Sequence, residues 1–245
     1  MKKTFTSSLV NANVANTTLA HFGKEIDHIP YATGSVTKIF QGHIVSQQYS
    51  NYIFSFESVD IFLESALAVP FTVKHRSLIM VFVLEGQVRL ENGNNDILDN
   101  IEAKTCFCTI NQEGDYLVTF PRGRHRIVYI SLDIGWIRSE APNFPHLQNF
   151  ISGHQAEKNH LSFMSKIFLC AEMESQLRSF LKIPNKNRDT LSEILTSQVK
   201  LLIKAYDRFQ NYNHFLSALS QKEKIQEIKK YLNEHYYEVD CTKMF

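Results

Sequence analysis

Few side chains in this 245-residue chain offer chemistry, and they are scattered. His125 closes the run Pro121-Arg122-Gly123-Arg124-His125, and His75 stands alone before the apolar stretch that begins at Leu78. Imidazole and carboxylate together suit iron, zinc or manganese, but a metal centre needs several such ligands converging on one ion. No histidine follows two residues after His75, so no metal site is expected. Cys106, Cys108, Cys170 and Cys241 lack zinc spacing, and the Cys106-x-Cys108 pair falls on one face of a strand, as small core residues do. There is no Gly-rich phosphate loop, nucleophile elbow or His-Glu-x-x-His helix. No catalytic residue and no cofactor is therefore expected. What remains is a set suited to holding a small molecule: His75, Phe82, Arg89, Phe107, His125 and Tyr129. Each also has a plain reading. His125 can donate to a ligand or be a satisfied sheet histidine. Arg89 can pair bidentately with an anion or lie exposed on its strand. Phe82 and Phe107 can line a pocket or fill it.

The elements that must position this set are strands. Leu78 to Leu84 is a seven-residue apolar run, apolar on both faces, which predicts a central strand. Glu85-Gly86 turns it into Gln87-Val88-Arg89-Leu90, and Asn92-Gly93 is a second turn signal. Cys106 to Ile110, Tyr116 to Phe120 and Ile127 to Ile130 follow as further strands. Upstream, Val36 to Phe40 and His43 to Val45 are strand-like. Tyr52, Phe54 and Phe56 alternate with Ile53, Ser55 and Glu57, and Val59, Ile61 and Leu63 continue the alternation after Ser58. Many short strands without an intervening helix predict an antiparallel sandwich or barrel, and a small barrel encloses a cavity for a small molecule. Alternation places His125, Ile127 and Tyr129 on one face of their strand and Arg124, Arg126 and Val128 on the other.

The second half has helical spacing. Leu161, Met164, Phe168, Ala171, Leu177 and Phe180-Leu181 predict a helix from about Asn159, ending before the loop at Pro184. A second helix begins near Asp189 or Thr190, either of which can cap it, and carries Leu191, Ile194, Leu195, Val199, Leu202, Ala205 and Tyr206 on a broad face. That face is wide enough to cover the barrel and also to meet a second copy; an ordinary core helix explains it equally. After a break near Asn211 to Ser220, a third helix sets Ile225, Ile228, Tyr231 and Leu232 against Lys222, Lys224, Lys229 and Lys230. Those lysines can approach phosphate, with Lys229 and Lys230 the candidates nearest DNA, or form a solvated face.

The 26 basic and 25 acidic residues nearly cancel, which argues against the whole chain binding nucleic acid by charge alone. Aromatic residues make up 12% of the chain, which suits sheet packing and an aromatic-lined pocket. Met1-Lys2-Lys3 has the charge of a signal peptide, but Thr6-Ser7-Ser8 is too polar for its apolar region. No apolar run approaches the roughly 18 residues that cross a bilayer. The expectation is a cytoplasmic protein with reduced cysteines and no membrane partner.

The order of barrel, helices and Lys-bearing helix resembles the AraC family of bacterial transcription regulators. Val83-Leu84-Glu85-Gly86-Gln87-Val88-Arg89-Leu90 is similar to the leading hairpin of a cupin-type sensing barrel. Gly114-Asp115-Tyr116 and Phe120-Pro121-Arg122-Gly123-Arg124-His125 are similar to a later one. Asn143-Phe144-Pro145-His146-Leu147 and the helices after it resemble the family's linking segment, and Lys224 to Tyr236 resembles the first helix of its DNA-binding domain. The resemblance implies an α+β chain: a cupin-like or jelly-roll barrel over residues 1–140 with an N-terminal arm, a helical linker and dimerisation segment over 141–218, and the incomplete start of a helix-turn-helix domain over 219–245. It implies a small-molecule effector that shifts populations and a homodimer joined through Leu191, Ile194, Leu195, Leu202 and Tyr206. DNA would be read only through helix-turn-helix units that do not appear before Phe245. Two rival readings stand beside it. One is a metal-dependent cupin enzyme of isomerase or dioxygenase type, whose early His-x-His motif is absent here. The other is a regulator that dimerises and senses nothing.

Overall fold

The computed structural model describes residues 5–7, 13–15, 26–92, 94, 96–153, 162–218, 225–226 and 229–230. Among the described residues, fourteen strands form two antiparallel sheets. The smaller has five strands in the order β1 (Phe5–Ser7), β6 (Leu67–Val73), β11 (Gly114–Phe120), β8 (Gln87–Asn92) and β9 (Ile97–Glu102). The larger runs β13 (Ser162–Phe163), β10 (Thr105–Asn111), β7 (Ser77–Glu85), β12 (Gly123–Leu132), β5 (Phe54–Leu63), β4 (Gly42–Ser50), β3 (Thr33–Ile39) and β2 (Asn13–Ala15), with β14 (Ile167–Phe168) also on β10.

From β5 to β12 the chain passes repeatedly between the sheets, which is the wrapping of a jelly roll. The described strands make two packed sheets rather than the single closed ring that a barrel would need. The short links at Glu64 to Ala66 and at Gly86 redirect each strand to the opposite sheet, so the ladders end instead of continuing round. The apolar run from Leu78 lies in β7, between β10 and β12, in the central place its composition predicts.

Four helices follow: α1 (Ile134–Ser139), α2 (Pro145–Gly153), α3 (Ala171–Leu181) and α4 (Arg188–Ala218). They form a third layer on the outer face of the large sheet. Phe54, Phe56, Leu78, Met80, Phe82, Cys106, Cys108, Val128 and Ile130 meet Ile137, Leu147, Met173, Phe180, Leu195, Leu202 and Tyr206 in one continuous core. A smaller core lies between the sheets, where Ile61, Leu63, Val83, Phe107 and Ile127 pack on Leu67, Val69, Val88, Ile101 and Phe120.

The predicted helix from Asn159 is corrected. Ser162 and Phe163 and then Ile167 and Phe168 are two short strands bonded to β10, and the helix starts only at Ala171. Pairing with the free edge of β10 outweighs the helical spacing. The predicted break near Asn211 is also corrected, since α4 continues to Ala218. Its first turn is capped by Asn187, whose side-chain oxygen accepts from the Thr190 amide at 3.0 Å, and not by Asp189 or Thr190. Of the third predicted helix, Ile225, Gln226, Lys229 and Lys230 are described; they are helical and exposed. The rest of it, and Cys241, lie outside the described residues.

Side chains join the layers at several points, three of which matter most here. The Asn51 side chain accepts from the amides of Ile53 and Phe54, each at 2.9 Å, and donates to Ser192 at the start of α4. The Tyr206 hydroxyl accepts from the Cys108 amide and donates to the Ser165 carbonyl, both at 3.1 Å. Asp207, 5% exposed, accepts from the Leu147 amide at 2.8 Å and so caps α2 from a distant helix.

Candidate functional site

Register assigns every residue of the large sheet to one face. Rows run across it through paired residues: Glu57, Tyr129, Val81 and Phe107 form one, and Ser55, Ser131, Ile79 and Thr109 the next. Because alternate residues point oppositely, both rows face the small sheet. The inter-sheet face therefore has two halves. Toward Gly42 and Gly123 it is apolar, with Ile44, Ile61, Leu63, Val83 and Ile127 meeting the small sheet. Toward Ser50 and Ser77 it is polar, with Ser46, Gln48, Ser55, Glu57, Tyr129, Ser131, Ser77, Thr109 and Asn111.

Glu57 is the centre of the polar half. Its two carboxylate oxygens accept separately from the Ser46 hydroxyl and the Tyr129 hydroxyl. Burial, and next the neighbouring Glu57 charge, push the Tyr129 phenol well above its ordinary range, so it stays a donor. Glu57 makes no ion pair with any described residue. Ser46, Gln48, Glu57 and Tyr129 are half-buried, so this half of the interior is reachable from solvent. Ser131 and Ser77 are 2% and 5% exposed, and their hydroxyls have no hydrogen-bond partner.

Three of the six predicted ligand residues share this inter-sheet face: Phe107, His125 and Tyr129. His125, 2% exposed, is fully engaged in a hairpin clamp. Its Nδ1 accepts from the Gln87 amide at 3.1 Å, and its Nε2 lies 2.7 Å from the Pro121 carbonyl, which fixes the Nε2–H tautomer. Gly86 lets this ring approach: its φ is +81°, and a Cβ there would stand 2.2 Å from His125 Nδ1. Phe82 is corrected, because it points the other way, into the helix-covered core, one residue out of step with Val81 and Val83. His75 lies exposed in the turn between β6 and β7. Arg89 is exposed on the outer face of β8, with its Nε 2.6 Å from Glu91.

The predicted dimerisation set is likewise placed by packing. Leu191, Leu195, Leu202 and Tyr206 are buried at 4%, 0%, 0% and 0% in this chain's own core, and Ile194 packs against its margin. Lys229 and Lys230 are exposed on a helical segment.

Glu57, Ser46 and Ser131 escaped the sequence reading. Ser55 and Glu57 alternate with Phe54 and Phe56, so they read as the solvent side of a half-buried strand. The signal was in the second half of the same strand, where odd positions become Val59, Ile61 and Leu63 and must also be covered.

On the opposite face, beyond the helices, the arginines already have acidic neighbours. Asp60, 1% exposed, lies 3.6 Å from Arg124 and 3.7 Å from Arg126, while Arg126 also meets Asp27 at 2.7 Å. Burial raises the Asp60 carboxyl above its usual range, and the two guanidinium charges pull the other way. The Arg126 hydrogen bond holds the Asp27 carboxyl below its usual range. Among the described residues, no three His, Cys, Asp or Glu side chains come together as a metal site, and no helix is long and apolar enough to cross a membrane. Open clefts of about 440 and 290 Å³ lie at the surface, beside Asn51 and Arg188 and beside Lys38 and His43; neither is lined by Glu57.

No family model and no curated protein sequence matches the chain. Solved structures do, and AraC-like regulators and cupin proteins are among them. ToxT from Vibrio cholerae, in an apo form, is 10% identical over 78% of this chain and 78% of that one, with a TM-score of 0.45. CuxR, described as an AraC-like transcriptional activator, is 8% identical over 76% and 70%, with a TM-score of 0.36. The bacterial pirin YhhW from Escherichia coli, in complex with nickel(II), is 15% identical over 36% of this chain, with a TM-score of 0.28. The match spans only 44% of that pirin's length.

Proposed function

We propose that this chain is the ligand-sensing part of a transcription regulator of AraC type. A small molecule enters the polar half of the inter-sheet space, and the helical layer on the other face carries the response. One observation carries the reading: the large sheet has a binding-suited face and a helix-bearing face built from the same strands. Tyr129 faces the ligand side, while its chain neighbours Val128 and Ile130 hold the helices. A shift of β12 toward a ligand therefore moves the surface on which α3 and α4 rest, and biases two arrangements of sheet and helices.

A homodimer belongs to the reading, but not through the wide apolar face of α4. The described outward residues of that helix include Glu193, Ser197, Leu201, Lys204 and Arg208, a mostly polar row.

A fusion tests this. Residues 1–245 are joined to a heterologous DNA-binding domain that represses a reporter only as a dimer. Repression that changes when host metabolite extract is supplied is the expected result. A reporter that stays unrepressed, with the fusion folded and abundant, contradicts the proposal.

A further inference from the structure

The site around Glu57 holds a carboxylate with no ion pair among the described residues. We infer that its ligand is a small primary ammonium compound with a short apolar body; this rests on the ligand-sensing reading above and names the chemistry of that same site.

A carboxylate drawn partly out of water is costly unless a cation or a full set of donors compensates it. Glu57 has two neutral hydroxyl donors, from Ser46 and Tyr129, and no ion pair among the described residues. An ionised carboxylate offers about four acceptor sites, so about two remain open. Many of the chain's cations have acidic partners elsewhere: Arg89 on Glu91, Lys166 on Asp99, and Arg124 and Arg126 around Asp60. Among the described residues, the inter-sheet face thus has a negative centre and no cation paired with it.

The surroundings fit an ammonium group in particular. Ser131 is Glu57's diagonal neighbour on the same face, and its buried hydroxyl has no partner. An ammonium has three donors and no acceptor, and here it meets a carboxylate and hydroxyl oxygens. Just beyond, Val59, Val81, Ile127 and Phe107 offer an apolar wall for the ligand's body. An anion would meet Glu57 with like charge. A neutral alcohol would leave the charge uncompensated.

Three probes of equal length separate these cases: butylammonium, butanoate and 1-butanol, titrated into residues 1–245 and followed by NMR shifts of the methyl groups facing between the sheets. Butylammonium is expected to bind at least tenfold more tightly than either of the others. Glu57→Gln should lower that affinity at least tenfold. Tyr129→Phe, which frees one carboxylate oxygen and keeps the ring, should raise it. If butanoate or butanol binds this face best, the ammonium assignment falls while the sensing reading stands. If none of the three binds, or if Glu57→Gln leaves butylammonium affinity unchanged in a folded protein, the assignment also falls. The reporter fusion then decides the sensing reading separately.

Discussion

The large sheet presents two faces, built by the same strands and completed differently. The helix-covered face is apolar along much of its length and carries rings from three elements: Phe56 lies 6.0 Å from Tyr31 and 5.2 Å from Phe180. Some of its deepest polar groups are paired, as with the Tyr206 hydroxyl held between Cys108 and Ser165, while the buried Ser58 hydroxyl has no hydrogen-bond partner. The inter-sheet face is apolar for half its length and then turns polar, with a carboxylate and two orphaned serine hydroxyls. Apolar side chains would serve the fold better there, as they do in the other half. The helix-covered side sets its buried carboxylate, Asp60, beside two guanidinium groups, while the inter-sheet face leaves Glu57 without an ion pair among the described residues. Under the proposal above, that uncompensated carboxylate serves a ligand.

Substitutions can break this contrast, and the largest effect belongs to the helix-covered face. Phe56→Ala should cost about 3–5 kcal/mol of unfolding free energy, measured by urea titration. A loss below about 1 kcal/mol would mean that this core is not tightly packed. Gly86→Ala forces a side chain into a left-handed backbone and against His125, and should cost about 1–3 kcal/mol. It should also disturb the hairpin amides around Gln87 in NMR spectra. Tyr206→Phe keeps the ring but strands the Cys108 amide, while the Ser165 carbonyl still accepts from Gln210, for a loss of about 1–3 kcal/mol.

Asp207 sharpens the contrast through pH. Burial raises its carboxyl above the usual range, and its bond to the Leu147 amide opposes that shift. The folded protein then takes up the proton at higher pH than the unfolded chain, whose aspartate titrates near ~3.9. The stabilisation linked to this group is complete below the unfolded value and is lost as pH rises through the folded one. Asp207→Asn keeps an oxygen to cap α2 and removes that dependence. The stability of wild type relative to the variant should therefore fall with rising pH across this window; a rise would show the sign to be wrong. The smallest effect is at the surface, where Arg208→Ala removes a pairing to Glu172 at a cost of about 1 kcal/mol or less, most of it screened by salt.

Much of the sheet was legible in the sequence, because its signals are local. The run from Leu78 announces a strand covered on both faces, and Gly86 marks a turn that only glycine fits. The change of phase at Ser58 was also visible: Phe54 and Phe56 point toward the helices, while Val59, Ile61 and Leu63 point toward the second sheet. What could not be read is which partner covers which face. Without that, Phe82 and Phe107 seemed to share a pocket although they lie on opposite sides of the sheet. Leu195 and Tyr206 were likewise open to a second copy until the sheet was seen to occupy them. Glu57 was missed for the same reason, since a charged residue in an alternating strand reads as the wet side.

The account rests on Glu57 serving a ligand and not the fold, and the stability of Glu57→Gln tests that most directly. The amide keeps the shape and can still bond Ser46 and Tyr129 while removing the uncompensated charge. Urea unfolding at neutral pH should show the variant as stable as wild type or more so. A loss of more than about 1 kcal/mol, the scale of one net hydrogen bond, would show that the carboxylate holds the sheet together, and would contradict the account.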